Sequence, residues 1–194
     1  AFVAEELLGS AVWASKHRFG CRVVAGLVQH ASAEGWTGDK ARAVLKEALS
    51  SAGELCRDSF GKTLIEEVME RGTTEHQNSV VTALRARLPH HACHEHASFL
   101  TQRALQMVPS CSKSAQMADE LLAHRHIVQA LARNQYGGNV LRGMLSASPV
   151  YAQRVRDMLA PMVEELQNSK QGKELLADLT ANDASRGRTA SSSA

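Results

Sequence analysis

The chain has 194 residues, of which 44% are hydrophobic, and this apolar content is high enough to bury a continuous core, which excludes an intrinsically disordered protein. Aromatic residues make up only 4% of the chain and only four prolines interrupt it, so the composition favours helices over a β-sandwich or barrel. The net charge of +2 excludes attraction of polyanions by bulk charge alone, and any such binding must depend on where individual Lys and Arg residues lie.

The cysteines and the apolar runs indicate the compartment. The four cysteines, Cys21, Cys56, Cys93 and Cys111, lie far apart in sequence with no CxxC pair. No apolar run is long enough for a signal peptide or a membrane span. We therefore expect a soluble protein in a reducing compartment. Because the chain begins at Ala1 inside an apolar helical pattern, we also expect further sequence upstream.

Five segments along the chain share one pattern of apolar and small residues. In chain order they are HRFGCRVVAGLV from His17, DSFGKTLIEEVM from Asp58, HEHASFLTQRAL from His94, NQYGGNVLRGML from Asn134 and SKQGKELLADLT from Ser169. Their third residues are spaced by 41, 36, 40 and 35 positions, and they are Phe19, Phe60, His96, Tyr136 and Gln171. Self-similarity at such a period indicates a repeat architecture.

The apolar residues of these segments predict one helix in each repeat. From each third residue, apolar side chains mostly recur four, five and eight positions later, on one face of a helix. They are Val23, Val24 and Leu27; Leu64, Ile65 and Val68; Val140, Leu141 and Met144; and Leu175, Leu176 and Leu179, while the third repeat departs at Thr101. Positions two, three and six after the third residue lie on the opposite face, so we predict that these three side chains point outward in every repeat.

A second helical stretch precedes each segment, as in AFVAEELLGSAVWASK and ARAVLKEALSSAGELCRD, so each repeat is predicted to be a helix pair. Stacked helix pairs form an α-solenoid. Turn-like connectors are predicted at ASAEGWTGD, RGTTEHQN, VPSCSKS and SASP. We expect repeats at about residues 1–36, 37–73, 74–110, 111–147 and 148–179, and a disordered, small and polar tail at 180–194.

The segments FGCRVV, SFGKTLIEEVMERG, HASFLTQ and QYGGNVL resemble the Pumilio (PUF) RNA-binding repeat. Their order resembles the last four repeats of a Pumilio homology domain, and QGKELLADL resembles the capping repeat that follows them. The resemblance implies that residues 1–179 form part of such a domain. It also implies an all-α, right-handed α-solenoid whose concave face carries the second helix of each repeat.

In this family the three outward positions touch single-stranded RNA. The first and third hydrogen-bond a base edge, and the middle residue stacks between neighbouring bases. The resemblance therefore implies the following RNA-binding residues: Cys21, Arg22 and Ala25; Lys62, Thr63 and Glu66; Ser98, Phe99 and Gln102; Gly138, Asn139 and Arg142; and Lys173 of the capping repeat.

Only the third repeat carries a complete set of reading residues. By the family's code, Ser98 with Gln102 favours adenine, and Phe99 supplies a ring for stacking. The first repeat fits the family's adenine-reading pattern at its first two positions, but Ala25 replaces the usual Gln. The resemblance therefore implies a conserved scaffold with reduced base specificity.

The second and fourth repeats depart further from the family's code. Lys62 and Glu66 lie four positions apart, where they can pair with each other instead of with a base, and Thr63 offers no ring. In the fourth repeat, Gly138 leaves the code without a match, while Arg142 is long enough for a phosphate or a purine edge.

The stretch HHACHEH, from His90 to His96, has the composition of a metal site. His90 and His94 lie one helical turn apart and Cys93 is near, as a zinc pair requires. However, no second ligand pair follows at finger-like spacing. We interpret these residues as partly exposed histidines, with His96 in the place of an aromatic residue, and we expect neither a metal nor a cofactor.

Catalytic motifs are incomplete. The tripeptide GKT at Gly61 resembles a phosphate-binding loop, but such a loop needs a Gly where Cys56 lies and a strand before it. No nucleophile has a His and an orienting partner at a recognisable spacing. We therefore expect a binding protein and not an enzyme.

The residues support one leading hypothesis of function and two alternatives. The first is a monomeric cytoplasmic module that contacts single-stranded RNA in messenger RNA 3′ UTRs, acts in post-transcriptional regulation, makes no membrane contact and can hold regulatory proteins on its convex face. The second is a PUF-like scaffold for protein or structured RNA, as in nucleolar ribosome biogenesis, with little base specificity. The third is a repeat fragment without a partner.

Overall fold

The computed structural model describes residues 2–35, 38–107 and 110–190. Within these ranges every regular element is a helix, which confirms the predicted all-α class. No helix of the described ranges is long and apolar enough to cross a membrane. Parts of two predicted connectors and of the predicted tail lie outside the described residues, namely Trp36, Thr37, Val108, Pro109 and residues 191–194.

Two compact units make up the chain. The first comprises Ala1–His91 and Glu95–Leu100, and the second comprises Ala92–His94 and Thr101–Ala194. The helices of the first unit are α1 (Phe2–Leu7), α2 (Ala11–Ser15), α3 (Gly20–Ala33), α4 (Asp39–Leu49), α5 (Ala52–Leu55), α6 (Gly61–Arg71) and α7 (Thr74–Arg85). Two helices have residues in both units, α8 (Leu88–Ala92) and α9 (Ala97–Gln106).

The second unit continues the same order of elements. Its helices are α10 (Ser112–Leu122), α11 (Arg125–Arg133), α12 (Gly137–Ala147), α13 (Pro149–Leu159), a 3-10 helix (Ala160–Met162), α14 (Val163–Leu166) and α15 (Lys170–Ala190). In the first four predicted repeats, two leading helices precede one helix that overlaps the quoted segment, and in the fifth the 3-10 helix lies between the two leading helices. We call these last helices, α3, α6, α9, α12 and α15, the trailing helices.

The leading part of each repeat is two helices and not one, so the prediction of a single long helix is wrong. Between α1 and α2, Gly9 has a φ of 83°, a left-handed conformation that favours glycine and ends the first helix. The carboxylate of Glu47 then accepts hydrogen bonds from the backbone N–H groups of Gly9 and Ala11, at 2.7 and 2.9 Å. This contact ties the start of α2 to α4.

Four of the trailing helices, α3, α6, α12 and α15, begin with a shared capping arrangement. The first residue of the segment accepts hydrogen bonds from backbone N–H groups two or three positions later, as at an N-terminal cap. Asp58 accepts from Phe60 and Gly61 at 2.9 and 2.7 Å, and Asn134 accepts from Tyr136 and Gly137 at 2.8 and 3.0 Å. His17 and Ser169 cap α3 and α15 in the same way.

A glycine at the start of four trailing helices touches the end of the preceding leading helix. A Cβ atom on Gly137 would overlap the backbone of Leu131, six positions earlier, and the same relation joins Gly20 to Ala14, Gly61 to Leu55 and Gly172 to Leu166. Only glycine permits this approach without displacing backbone. The third repeat has Ala97 at this position.

The predicted apolar faces are buried in the second and fourth trailing helices, as Leu64, Ile65, Val68, Val140, Leu141 and Met144 show. The prediction for the first repeat is wrong by one position. In α3 the buried side chains include Val24, Ala25 and Val28 in place of the predicted Val23, Val24 and Leu27, and Val23 is exposed. Because α3 packs against α6 as well as α2 and α4, its buried arc follows these neighbours more closely than the shared spacing.

The connectors are shorter than predicted. α7 begins at Thr74, inside the predicted connector RGTTEHQN, because the Thr73 hydroxyl accepts a hydrogen bond from the His76 N–H and caps the helix. At the other end of the chain, α15 extends beyond Leu179 to Ala190, into the segment predicted to be disordered. Extending a helix that has already formed needs no new nucleation step, so residues of low apolar content can continue α15.

The glycine contact generates a prediction about stability. Replacing Gly137 with Ala forces a Cβ atom against the Leu131 backbone, so we expect Gly137→Ala to lower the free energy of unfolding by about 1–3 kcal/mol. The adjacent Gly138 is a matched control, because a Cβ there would meet only the Arg142 side chain, at 3.8 Å. Gly138→Ala should raise the free energy of unfolding by up to about 1 kcal/mol through helix propensity.

Urea unfolding followed by circular dichroism measures both changes. Equal effects of the two substitutions, or a larger loss at Gly138, would contradict the proposed role of the glycine contact.

Candidate nucleic-acid interface

All the predicted RNA-binding residues lie on the trailing helices. In α6 the three outward positions, Lys62, Thr63 and Glu66, are each half-buried, while Leu64 and Ile65 between them are buried. The predicted outward direction is therefore correct for this helix. The ion pair between Lys62 and Glu66, which the sequence left open, is not present within the described part of the chain. The neighbouring Glu67 carboxylate accepts a hydrogen bond from Arg71.

The first repeat exposes only the middle residue of its three. Arg22 is exposed, but Cys21 and Ala25 are only 3% and 4% exposed. The prediction that both point into solvent is wrong. A helical wheel gives the direction of a side chain but does not show whether a neighbouring helix covers it. Here α3 packs closely against α6. The short side chains of Cys21 and Ala25 are therefore shielded from solvent.

The third repeat presents an exposed ring. Phe99 is 55% exposed at the middle outward position of α9, whereas Ser98 is completely buried. The Ser98 hydroxyl donates to the backbone carbonyl of Glu95 at 3.4 Å. The prediction that Ser98 faces outward is therefore wrong, because this short side chain is covered by its surroundings and its hydroxyl bonds to the backbone just before α9. Gln102, one turn beyond Ser98, is half-buried.

The fourth repeat presents an arginine that is already engaged. The Arg142 Nε donates to Asp178 Oδ2 at 2.5 Å, and its Nη1 donates to Asn139 Oδ1 at 3.2 Å. Its Nη2 lies 3.7 Å from Glu174 Oε2. Gly138 and Asn139 are half-buried, as expected for outward positions.

Three trailing helices contribute to one groove in the second unit. The groove has a volume of about 320 Å³ and is lined by Gln102, Gln106, Arg142, Leu145, Ser146 and Asp178. α12 approaches α9 closely here, because a Cβ atom on Gly143 would lie 2.9 Å from the Gln102 carbonyl oxygen. Successive trailing helices therefore bring their third outward positions, Gln102 and Arg142, to one surface.

The sequence interpretation missed the two acidic residues that face Arg142, namely Glu174 and Asp178, of which Asp178 lines the groove. Glu174 occupies the middle outward position of the capping repeat, three places after Gln171, so the spacing rule applied to that repeat identifies it. Asp178 lies one turn further along α15 and does not belong to the three positions. Lys173, which was predicted, is exposed.

One histidine of the stretch from His90 to His96 is part of the protein interior. His91 is buried, in contrast to the predicted partial exposure of these residues. Because the Arg57 guanidinium can only donate, His91 Nε2 accepts from Arg57 Nη1 at 3.2 Å, and His91 Nδ1 carries the proton and donates to the Leu84 carbonyl at 2.9 Å. Burial lowers the pKa of His91. Among the described residues, no group of three or more His, Cys, Asp or Glu side chains is placed to hold a metal ion.

Two leading helices followed by a trailing helix, repeated along the chain, define an α-helical repeat protein, and solved structures show which kind. PUF-8 in complex with PBE-RNA matches with a TM-score of 0.79 over 93% of this chain and 53% of that chain, at 21% identity. The Puf4 RNA binding domain bound to an HO endonuclease RNA 3′ UTR recognition sequence gives 0.74 over 90% and 52%, at 22% identity. The Puf3 RNA binding domain bound to a Cox17 RNA 3′ UTR recognition sequence gives 0.75 over 91% and 48%, at 18% identity.

This chain therefore has the fold of Pumilio (PUF) repeat domains, which confirms the predicted repeat architecture. It spans about half the length of the three solved chains that it matches. No protein-family model matches the sequence, and no curated protein sequence is significantly similar to it.

The burial of Cys21 can be tested by thiol labelling. Cys21 and Cys56 are buried, and burial raises the pKa of the Cys56 thiol to about 12, whereas Cys93 is only half-buried. Because the thiolate is the reactive form, we expect a maleimide to modify Cys93 first in the native protein and Cys21 and Cys56 much more slowly. Mass spectrometry of the labelled peptides measures the order. Labelling of Cys21 as fast as Cys93 would restore the original outward assignment, and labelling in denaturant gives the intrinsic rates.

Proposed function

We propose that this chain binds single-stranded RNA through its trailing helices and takes part in post-transcriptional regulation of messenger RNA, with the 3′ UTR as its target. The observation that carries the proposal is Phe99, an aromatic ring that is 55% exposed at the middle outward position of α9. The shared fold with PUF domains solved in complex with RNA supports it, and it favours RNA binding over a scaffold role. The proposed function is binding and involves no chemical reaction.

The Phe99 ring suits an unpaired base. A phenylalanine left in water forgoes the stabilisation of burial, about 1.5–3 kcal/mol, and a base that stacks on the ring recovers part of it. Stacking on an aromatic side chain contributes about 1–3 kcal/mol per base, and it tolerates any base because all bases have a π-face. Within the described part of the chain, no other ring contacts Phe99.

Base reading in the third repeat depends on Gln102. Its amide can donate and accept, which suits the Watson–Crick edge of an unpaired base. Since the Ser98 hydroxyl is buried and bonded to Glu95, the second half of a bidentate contact is lost. A good bidentate contact is worth about 1–3 kcal/mol of discrimination. We therefore propose that the adenine preference expected from Ser98 and Gln102 is weak in this chain.

Charged side chains on the trailing helices supply the phosphate contacts. Arg22 and Lys173 are exposed, and Lys62 is half-buried. Each phosphate that a cation neutralises on a single strand makes the slope of log K against log salt more negative by about 0.7. We propose that these three cations determine the salt dependence of RNA binding.

The number of repeats in this part of the protein sets how many bases these repeats can contact. PUF repeats read about one base per helical repeat, and this chain spans about half of each matched PUF domain. We propose that it engages a short stretch of RNA as a monomer in the cytoplasm and that regulatory proteins bind the surface opposite the trailing helices.

The stacking role of Phe99 is tested by titrating fluorescent RNA nonamers of varied sequence. Phe99→Ala should weaken binding by the stacking energy of one base, about 1–3 kcal/mol, which corresponds to about a fivefold to 150-fold increase in Kd. Phe99→Tyr keeps a ring of similar size and should bind within a small factor of the wild type.

Phe2→Ala is the matched control, because Phe2 is also an exposed phenylalanine but lies on α1, outside the trailing helices. It should leave the Kd unchanged. Equal weakening by the two alanine substitutions, or a Kd that Phe99→Ala leaves unchanged, would contradict the stacking role. Absence of binding to every nonamer would contradict the proposed function itself.

A further inference from the structure

All three nitrogen atoms of the Arg142 guanidinium face an oxygen atom of the protein. Nε bonds to Asp178, Nη1 bonds to Asn139, and Nη2 lies near Glu174. Two of these oxygens belong to carboxylates on α15, the capping repeat's helix, and they face an outward position of the preceding repeat. A nucleic-acid phosphate approaching Arg142 would meet the same guanidinium face that Asp178 and Glu174 already occupy.

The charges around Arg142 oppose a contact between this side chain and an RNA phosphate. Asp178 and Glu174 together carry two negative charges against the single positive charge of Arg142. The remaining groove residues named above, including Gln102 and Ser146, are uncharged. A phosphate would therefore have to displace two carboxylates and would also be repelled by them.

The fold does not depend on this ion pair. The side chains of Glu174 and Asp178 are 53% and 45% exposed, and ion pairs of such exposure contribute little to stability. α12 and α15 also pack against each other, and both helices carry buried apolar residues, among them Val140, Leu141 and Leu175. The carboxylates can therefore be changed to amides without loss of the fold.

We propose that Asp178 and Glu174 are intramolecular competitors of RNA for Arg142 and that they determine how strongly the fourth repeat contributes to RNA binding. The inference rests on the proposed RNA-binding function. With Arg142 held by α15, affinity and selectivity come mainly from other residues, among them Phe99 and Gln102. Release of Arg142 adds a phosphate contact that carries no sequence information, so affinity rises and discrimination between sequences falls.

The test compares the double variant Glu174→Gln/Asp178→Asn with the wild type in nonamer titrations over a range of salt concentrations. We expect the double variant to bind RNA about threefold to fivefold more tightly, as for one half-exposed ion contact. Its slope of log K against log salt should become steeper by about 0.7, the value for one additional phosphate on a single strand.

A matched control separates this effect from a general gain of positive charge. Asp119 accepts from Arg154 at 3.1 Å on the leading helices α10 and α13, so Asp119→Asn/Glu120→Gln removes the same two charges and also breaks a surface ion pair. This control should give a much smaller gain. A second control adds Arg142→Gln to the Glu174→Gln/Asp178→Asn background, where the gain should disappear.

The titrations of the double variant and its controls can contradict the competitor role in two ways. A gain that equals the control's, or that persists without Arg142, would overturn the competitor role while leaving RNA binding intact. Binding by the double variant but not by the wild type would support the competitor role and contradict the proposed function of the unaltered chain. Binding by neither protein, with circular dichroism showing that both are folded, would overturn both proposals.

Discussion

The arrangement of this protein depends on the contact that four of the five trailing helices make, at their first turn, with the end of the leading helix before them. At Gly137 this contact leaves no room for a Cβ atom beside the Leu131 backbone, and Asn134 holds the intervening turn by capping α12. Together the two contacts set the rotation of the trailing helix about its own axis. That rotation decides which side chains enter the core and which remain outward.

Much of the fold could be predicted from the sequence because these contacts leave local signals. The apolar positions recur at regular spacing in each repeat, and they correctly predicted an all-α repeat protein. The capping residue and the glycine three positions later also recur in four of the segments, but the structure was needed to show what they do. The break between α1 and α2 was missed, since it depends on a left-handed Gly9 and a cap supplied by Glu47 from another helix. Such long-range partners leave no local periodicity.

For the candidate site, the sequence predicted the direction of several side chains but neither their solvent exposure nor their ion pairs. The spacing rule correctly placed Lys62 and Phe99 outward, yet Cys21 and Ser98 are buried. Their burial depends on neighbouring helices and on short side chains, neither of which a single helical wheel includes. The pairing of Arg142 depends on residues of the following repeat.

The central claim is that RNA lies along the trailing helices, and zero-length photocrosslinking tests it most directly. RNA containing 4-thiouridine would be irradiated in complex with the protein, and the crosslinked peptides would be mapped by mass spectrometry. We expect crosslinks in α3, α6 and α9, with Phe99 among the modified residues. Crosslinks confined to leading helices such as α4, α7 and α10 would contradict the account.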